Sequence, residues 1–213
     1  MPIFPALVKR SRLFLLPQLL LVAFTGVLLL AFDKEQIHLA INRHYNSFWD
    51  AVMPWFTWLG DGWTITVMCL LLLAWKRRFG LFTGIACLLA SGVTQVLKHT
   101  LYYGEPRPAW LFRRDHIQLR FVPGVENFLY DSFPSGHTTV AFAFFFSLSL
   151  ATKNEGLKLL CFCLAAAIGF SRIYLSQHFL GDVFAGSIIG TGGSLLVFWL
   201  ALRNNWLKGD ILV

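Results

Sequence analysis

Between Leu13 and Phe32 the chain runs for twenty residues without a charged side chain. Such a run has few stable fates. About 20 apolar residues, wound as a helix, cross a hydrocarbon core of about 30 Å, and a helix that is apolar all round has no polar face to turn to water. Further apolar runs follow at Trp63–Trp75, Leu81–Leu97, Ser135–Ala151, Leu157–Leu175 and Val183–Leu202. Composition agrees, with 56% hydrophobic and 14% charged residues among 213 and a mean hydropathy of +0.61. The expectation is an all-α integral membrane protein of about six transmembrane helices, forming one domain over residues 1–213. From Asp33 to Gly62, Ile37, Ile41, Phe48, Val52 and Phe56 recur at roughly helical spacing, while Trp49, Trp55, Trp58 and Trp63 are of a type that favours the membrane interface. That stretch is expected to form one or two short interfacial helices.

The basic residues fall beside the apolar runs. Lys9, Arg10 and Arg12 precede the first, Lys76-Arg77-Arg78 follow the second, Lys153 and Lys158 mark a tight turn, and Arg203 and Lys208 follow the last. Such clusters set topology, and they place these segments in the cytoplasm of a multi-pass cell (inner) membrane protein. The first run is too long for a signal-peptide core and lacks a small-residue cleavage site, so a retained span is expected. The net charge of +7 raises nucleic acid as a partner. No basic stripe interleaved with exposed aromatics stands outside the apolar segments, which excludes that class. Cys69, Cys87, Cys161 and Cys163 all lie in apolar runs, where thiols act as small hydrophobes. They suggest no metal site, and nothing implies a protein partner.

The chemistry gathers between Pro134 and Asp182. Pro134-Ser135-Gly136-His137 opens one apolar run, and Ser171-Arg172, His178 and Asp182 close the next. Two antiparallel helices joined near Thr152–Gly156 would bring both clusters to one face of the membrane, the periplasmic or extracellular one by the charge pattern. Serine can cap a helix, proline suits its first turn, and glycine lets an anion approach the free N–H groups. His178 and Asp182 are four apart, so in a helical segment the carboxylate can hold one imidazole nitrogen and leave the other free to react. Lys98 and Arg107 lie just upstream. Three cations and two histidines suit a phosphate.

PSGH at 134–137, SRIYLSQHFLGD at 171–182, and Lys98 with Arg107-Pro108 resemble the three signature motifs of the type 2 phosphatidic acid phosphatase family, membrane relatives of the vanadium haloperoxidases. The resemblance covers roughly residues 50–203. It implies a six-span helical fold and metal-independent hydrolysis through a phosphohistidine, with no cofactor. His178 would be the nucleophile, Asp182 its orienting partner and His137 the general acid. Lys98, Arg107 and Arg172, with Ser135 and the Gly136 N–H, would hold the phosphoryl oxygens. One departure stands out: eight residues separate Lys98 from Arg107 where the family usually has six, which puts the role of Lys98 in question.

The expected partner is therefore a lipid phosphate in the membrane. Polyprenyl diphosphate is the leading substrate class, with phosphatidylglycerol phosphate, phosphatidic acid and lipid A phosphates as alternatives. The loop 104–133 carries Arg113, Arg114 and Arg120, which either select among these lipids or face anionic head groups. Transfer of the phosphoryl group to a second lipid, or a binder or transporter without catalysis, are the rival functions. Phosphoryl transfer asks mainly for positioning and for positive charge around the equatorial oxygens, and fixed cations can supply both.

Overall fold

A computed structural model describes residues 3–204 and Trp206, with side chains from Arg10 onward; Lys208 and the side chain of Lys9 lie outside it. The elements are α1 (Ile3–Ala31), α2 (Lys34–Arg43), α3 (Ser47–Leu59), α4 (Gly62–Trp75), α5 (Arg77–Thr100), α6 (Pro108–Arg114), α7 (Gly136–Ala151), α8 (Glu155–Tyr174) and α9 (Leu180–Arg203). The starts are written locally. Side-chain oxygens of Asn46, Asp61 and Asn154 accept the first free N–H groups of α3, α4 and α8, as cap residues do.

By length and composition α1 from Arg10, α5, α8 and α9 can each cross a membrane, and the α3–α4 pair makes a fifth crossing if its two halves are one span. The pair bends by 52° at Gly60-Asp61-Gly62. The stretch read from sequence as interfacial is thus split: α2 is a short amphipathic helix, whereas α3 is the front half of the bent pair. Trp55, Trp58 and Trp63 remain exposed around the bend.

The fourth apolar run became α7. Its 16 residues are about 24 Å long at 1.5 Å per residue, short of a full crossing. Its position supplies the reason. Every residue from Ala141 to Phe146 is buried, and α7 packs against α1, α4, α5, α8 and α9. A helix apolar on all sides belongs in such a centre. Phe14 of α1 meets Phe142 and Phe146 of α7 and Phe162 of α8 edge-on.

Between α7 and α9 the backbones nearly touch. A Cβ on Gly190 would stand 2.2 Å from the Thr139 carbonyl oxygen, and one on Gly186 would stand 2.8 Å from that of Ser135. Small residues allow this close approach, and polar side chains bind the helices further. Thr94 bonds Thr139, Thr191 bonds Gln18, and Ser194 bonds the Ala143 carbonyl. The seam ends where the Ser135 N–H donates to the Asp182 carbonyl at 3.1 Å, tying the start of α7 to the start of α9.

Candidate active site

The turn 175–179, between α8 and α9, holds His178. The N–H groups of Leu175, Gln177 and His178 fold back onto the carbonyls of Ser171 and Arg172, and Ser176 reverses the chain at φ 54°. The His178 ring is 2% exposed. Its Nδ1 faces Asp182 Oδ2 at 3.3 Å, and that same oxygen accepts from the Phe179 N–H at 2.9 Å and the Ser132 hydroxyl at 2.5 Å. A carboxylate only accepts, so Nδ1 carries the hydrogen and Nε2 keeps its lone pair. Burial, then the nearby charges of Arg107, Arg172 and Lys98, holds His178 well below the ordinary histidine range. It is neutral at neutral pH, with the Nε2 lone pair free.

Lys98, in the last turn of α5, is buried and donates from Nζ to the Asp131 carbonyl at 2.9 Å. Arg107 reaches the same carbonyl at 3.3 Å, and it also donates to the carbonyls of Tyr130 at 2.8 Å and Gln177 at 3.2 Å. The longer spacing between the two cations is absorbed by a turn at 101–104, with Gly104 at φ 74°. Both charges still arrive on one carbonyl. His99, the other basic group in that stretch, is exposed.

Arg172 is 5% exposed, and its Nε has no partner among the described residues. Its other nitrogens make only long contacts, to Thr57 Oγ1 at 3.4 Å and Gln177 Oε1 at 3.5 Å. Buried donors are rarely left so poorly met, and an anion would satisfy them. Ser135 caps α7, its hydroxyl oxygen accepting from the Thr138 hydroxyl at 2.9 Å while its own proton stays available. Gly136 has open space where a Cβ would stand. His137 follows in the first turn, within electrostatic reach of Arg172, His178, Arg107 and Lys98. A cavity of about 750 Å³ reaches two of these groups, His137 and Arg172, and is lined also by Gln177 and Asp61, with Trp55, Trp58 and Phe128 as an aromatic wall.

Residues 78–206, more than half of the chain, match the family model of the PAP2 superfamily. The chain belongs to that superfamily.

Two curated relatives and one solved structure stand near it. The undecaprenyl-diphosphatase BcrC of Bacillus subtilis is 30% identical over 153 residues, covering 68% of this chain and 72% of the relative. The bacitracin transport permease protein BcrC of Bacillus licheniformis is 40% identical over 83 residues, but there the match spans only 39% of this chain and 40% of the relative's length. The crystal structure of LpxE from Aquifex aeolicus superposes with a TM-score of 0.67 at 26% identity, covering 77% of this chain and 93% of that one.

All eight residues singled out from the three PAP2 motifs lie at this one end of the bundle. Sequence reasoning missed four more. Ser132 holds Asp182, Thr57 and Gln177 touch Arg172, and Asp61 stands 3.7 Å from His137. Gln177 also donates to the Glu126 carbonyl and the Asn127 side chain, each at 2.8 Å, and so fixes the loop over the cavity. Conversely, Arg113, Arg114 and Arg120 are absent from the described residues lining it. Arg120 pairs with Asp50 and covers the Tyr45 ring, and Arg114 pairs with Asp115. Arg120 thereby ties the loop to α3.

Proposed function

We propose that this PAP2 protein is a membrane lipid phosphatase that removes the terminal phosphate of a polyprenyl diphosphate by way of a phosphohistidine on His178. The observation that carries the reading is the buried, under-bonded Arg172 guanidinium beside a neutral His178 whose Nδ1 is held by Asp182. Three cations stabilise the phosphoryl oxygens in transit. Nε2 of His178 attacks phosphorus, the P–O bond to the lipid breaks, and His137 gives its proton to the leaving oxygen. Water then cleaves the N–P bond with His137 as base. No cofactor takes part.

The undecaprenyl-diphosphatase similarity supports the substrate class. So does an apolar hollow of about 680 Å³ between α4 and α5, which begins at the same Asp61 that lines the catalytic cavity and suits a hydrocarbon tail. An outward-facing site is supported by charge. Arg12 pairs with Glu155, and Arg10 bonds the Leu150 carbonyl, so the basic start of α1 joins the α7–α8 turn at the opposite end from the histidines. One relative is named a transport permease, yet a transporter has no use for an acid and a nucleophile poised together.

The test is a panel of lipid phosphates and diphosphates given to purified protein with chelator present. Free phosphate should appear fastest from polyprenyl diphosphate, and a radiolabelled phosphoenzyme should accumulate on acid quench and vanish in His178→Ala. Full release by His178→Ala would reject the covalent route, and label passing to an added lipid alcohol without free phosphate would make the protein a transferase.

A further inference from the structure

Asp61 sits at the elbow between α3 and α4, and its two carboxylate oxygens do different things. Oδ2 accepts the Trp63 N–H at 2.8 Å and caps α4. Oδ1 is turned to the cavity, 3.7 Å from Nε2 of His137. Capping alone asks only for a neutral acceptor, and Asn46 and Asn154 do that work elsewhere in this chain. The second oxygen calls for a separate account.

His137 lies within electrostatic reach of three cations, Lys98 from α5, Arg107 from the loop and Arg172 from α8, and of the neutral His178 in the turn before α9. An imidazole that must carry a proton in such company needs an anion against it. Asp182 is committed to His178, and Glu126, on the cavity rim, is exposed. Asp61 is the carboxylate within ion-pair distance of the ring.

We propose that Asp61 is the positioning residue for the acid, pairing with His137 at Nε2, stabilising its protonated form and leaving Nδ1 to serve the leaving oxygen. The proposal rests on His137 being the acid. The apo separation is longer than a hydrogen bond, as is common before substrate closes a site. The proton balance is simple. Nδ1 loses its proton to the lipid oxygen as the P–O bond breaks, the ring becomes neutral, and attack of water on phosphohistidine returns a proton to it.

The need for the pair depends on the leaving group. An alkoxide leaving from a monoester requires a proton, whereas a nitrophenolate leaves without one. A lipid phosphate leaving from a diphosphate, with a second pKa of about 6, is no more basic than nitrophenolate, so the alkyl monoester is the substrate that reads the acid. The experiment compares kcat/KM for a long-chain alkyl phosphate with that for a nitrophenyl phosphate carrying the same tail, in detergent, across pH. Asp61→Asn keeps a capping acceptor and removes the charge. Its alkyl-to-aryl ratio should fall about tenfold, a modest part of the ~100-fold or more that a general acid contributes. The alkaline limb for the alkyl ester should move to lower pH, and Asp61→Glu should restore the ratio to within about threefold of the parent, since the carboxylate is what acid catalysis draws on. Asp61→Ser gives the same reading should the asparagine variant fail to fold.

His137→Ala separates the possible failures. A ratio that collapses in His137→Ala but is unmoved in Asp61→Asn overturns the role of Asp61 and leaves the acid in place. A ratio unmoved in both removes His137 as acid and the inference with it.

Discussion

Replacing Asp182 with asparagine removes one unit of charge and almost nothing else. The Oδ2 atom accepts from three donors, His178 Nδ1, the Phe179 N–H and the Ser132 hydroxyl. An asparagine oxygen can occupy the same place and accept all three, so the turn should keep its shape. The loss falls on the transition state, where His178 gains positive charge as its Nε2 bonds phosphorus. Two unit charges 3.3 Å apart attract by about 5 kcal/mol at an effective dielectric of about 20. If half the charge has developed, about 2.5 kcal/mol is lost, or a rate factor of about 70; with full development the factor is about 5,000. The assay is kcat/KM for phosphate release, with rapid acid quench to count phosphoenzyme. The phosphorylation step itself should slow within that range while the melting temperature in detergent stays close to the parent. A loss under tenfold would show that the Asp182 charge does not serve the reacting imidazole, and the nucleophile would have to be sought elsewhere.

Gly190→Ala would drive a Cβ to 2.2 Å from the Thr139 carbonyl, so the α7–α9 seam must part, at a cost above the ~1–3 kcal/mol of ordinary overpacking. Gly192→Ala, with nothing within 4 Å, should instead hold or raise stability by about 1 kcal/mol of helix propensity, and paired thermal melts in detergent check both. His38 is pushed down to about 4 by burial, against a weaker opposing pull from Asp182. Above pH 6.5 it is neutral folded or unfolded, but between 6.5 and about 4 only the unfolded chain takes the proton. Stability should therefore fall across that window by up to about 3 kcal/mol, and melts of His38→Gln should show a shallower fall. Neutralising Arg113, Arg114 and Arg120 together should loosen the loop through loss of the Arg120–Asp50 pair, yet leave the ranking of lipid substrates unchanged; a reordered panel would refute that division of labour.

The parts legible in the sequence were those whose cause is local. Apolar length gave the membrane helices, and the motifs around His137 and His178 pointed to side chains that meet at one end of the bundle, because each motif is only a few residues long. The loop partners were hidden for the opposite reason. Ser132 lies 50 positions from Asp182, and only the path of the chain between them decides that they meet. Gln177 had a weak signal, a polar side chain beside His178. Asp61 had one too, since Gly60-Asp61-Gly62 interrupts an apolar stretch, but an interruption reads first as a loop and says nothing of what it faces. The depth of α7 was misleading for a physical reason: a span counted against lipid thickness need not meet that length when protein surrounds it.

His137 and His178 stand at the ends of two rods clamped backbone to backbone by Gly186 and Gly190. The gap between the two imidazoles is thus machined into the bundle, while the segment over the mouth, residues 123–128, is fastened by the buried side chain of Gln177. Chassis and gatekeeper are separable. Grafting a different mouth onto the same pair of rods should alter which amphiphile is admitted without retuning how its phosphate is cut.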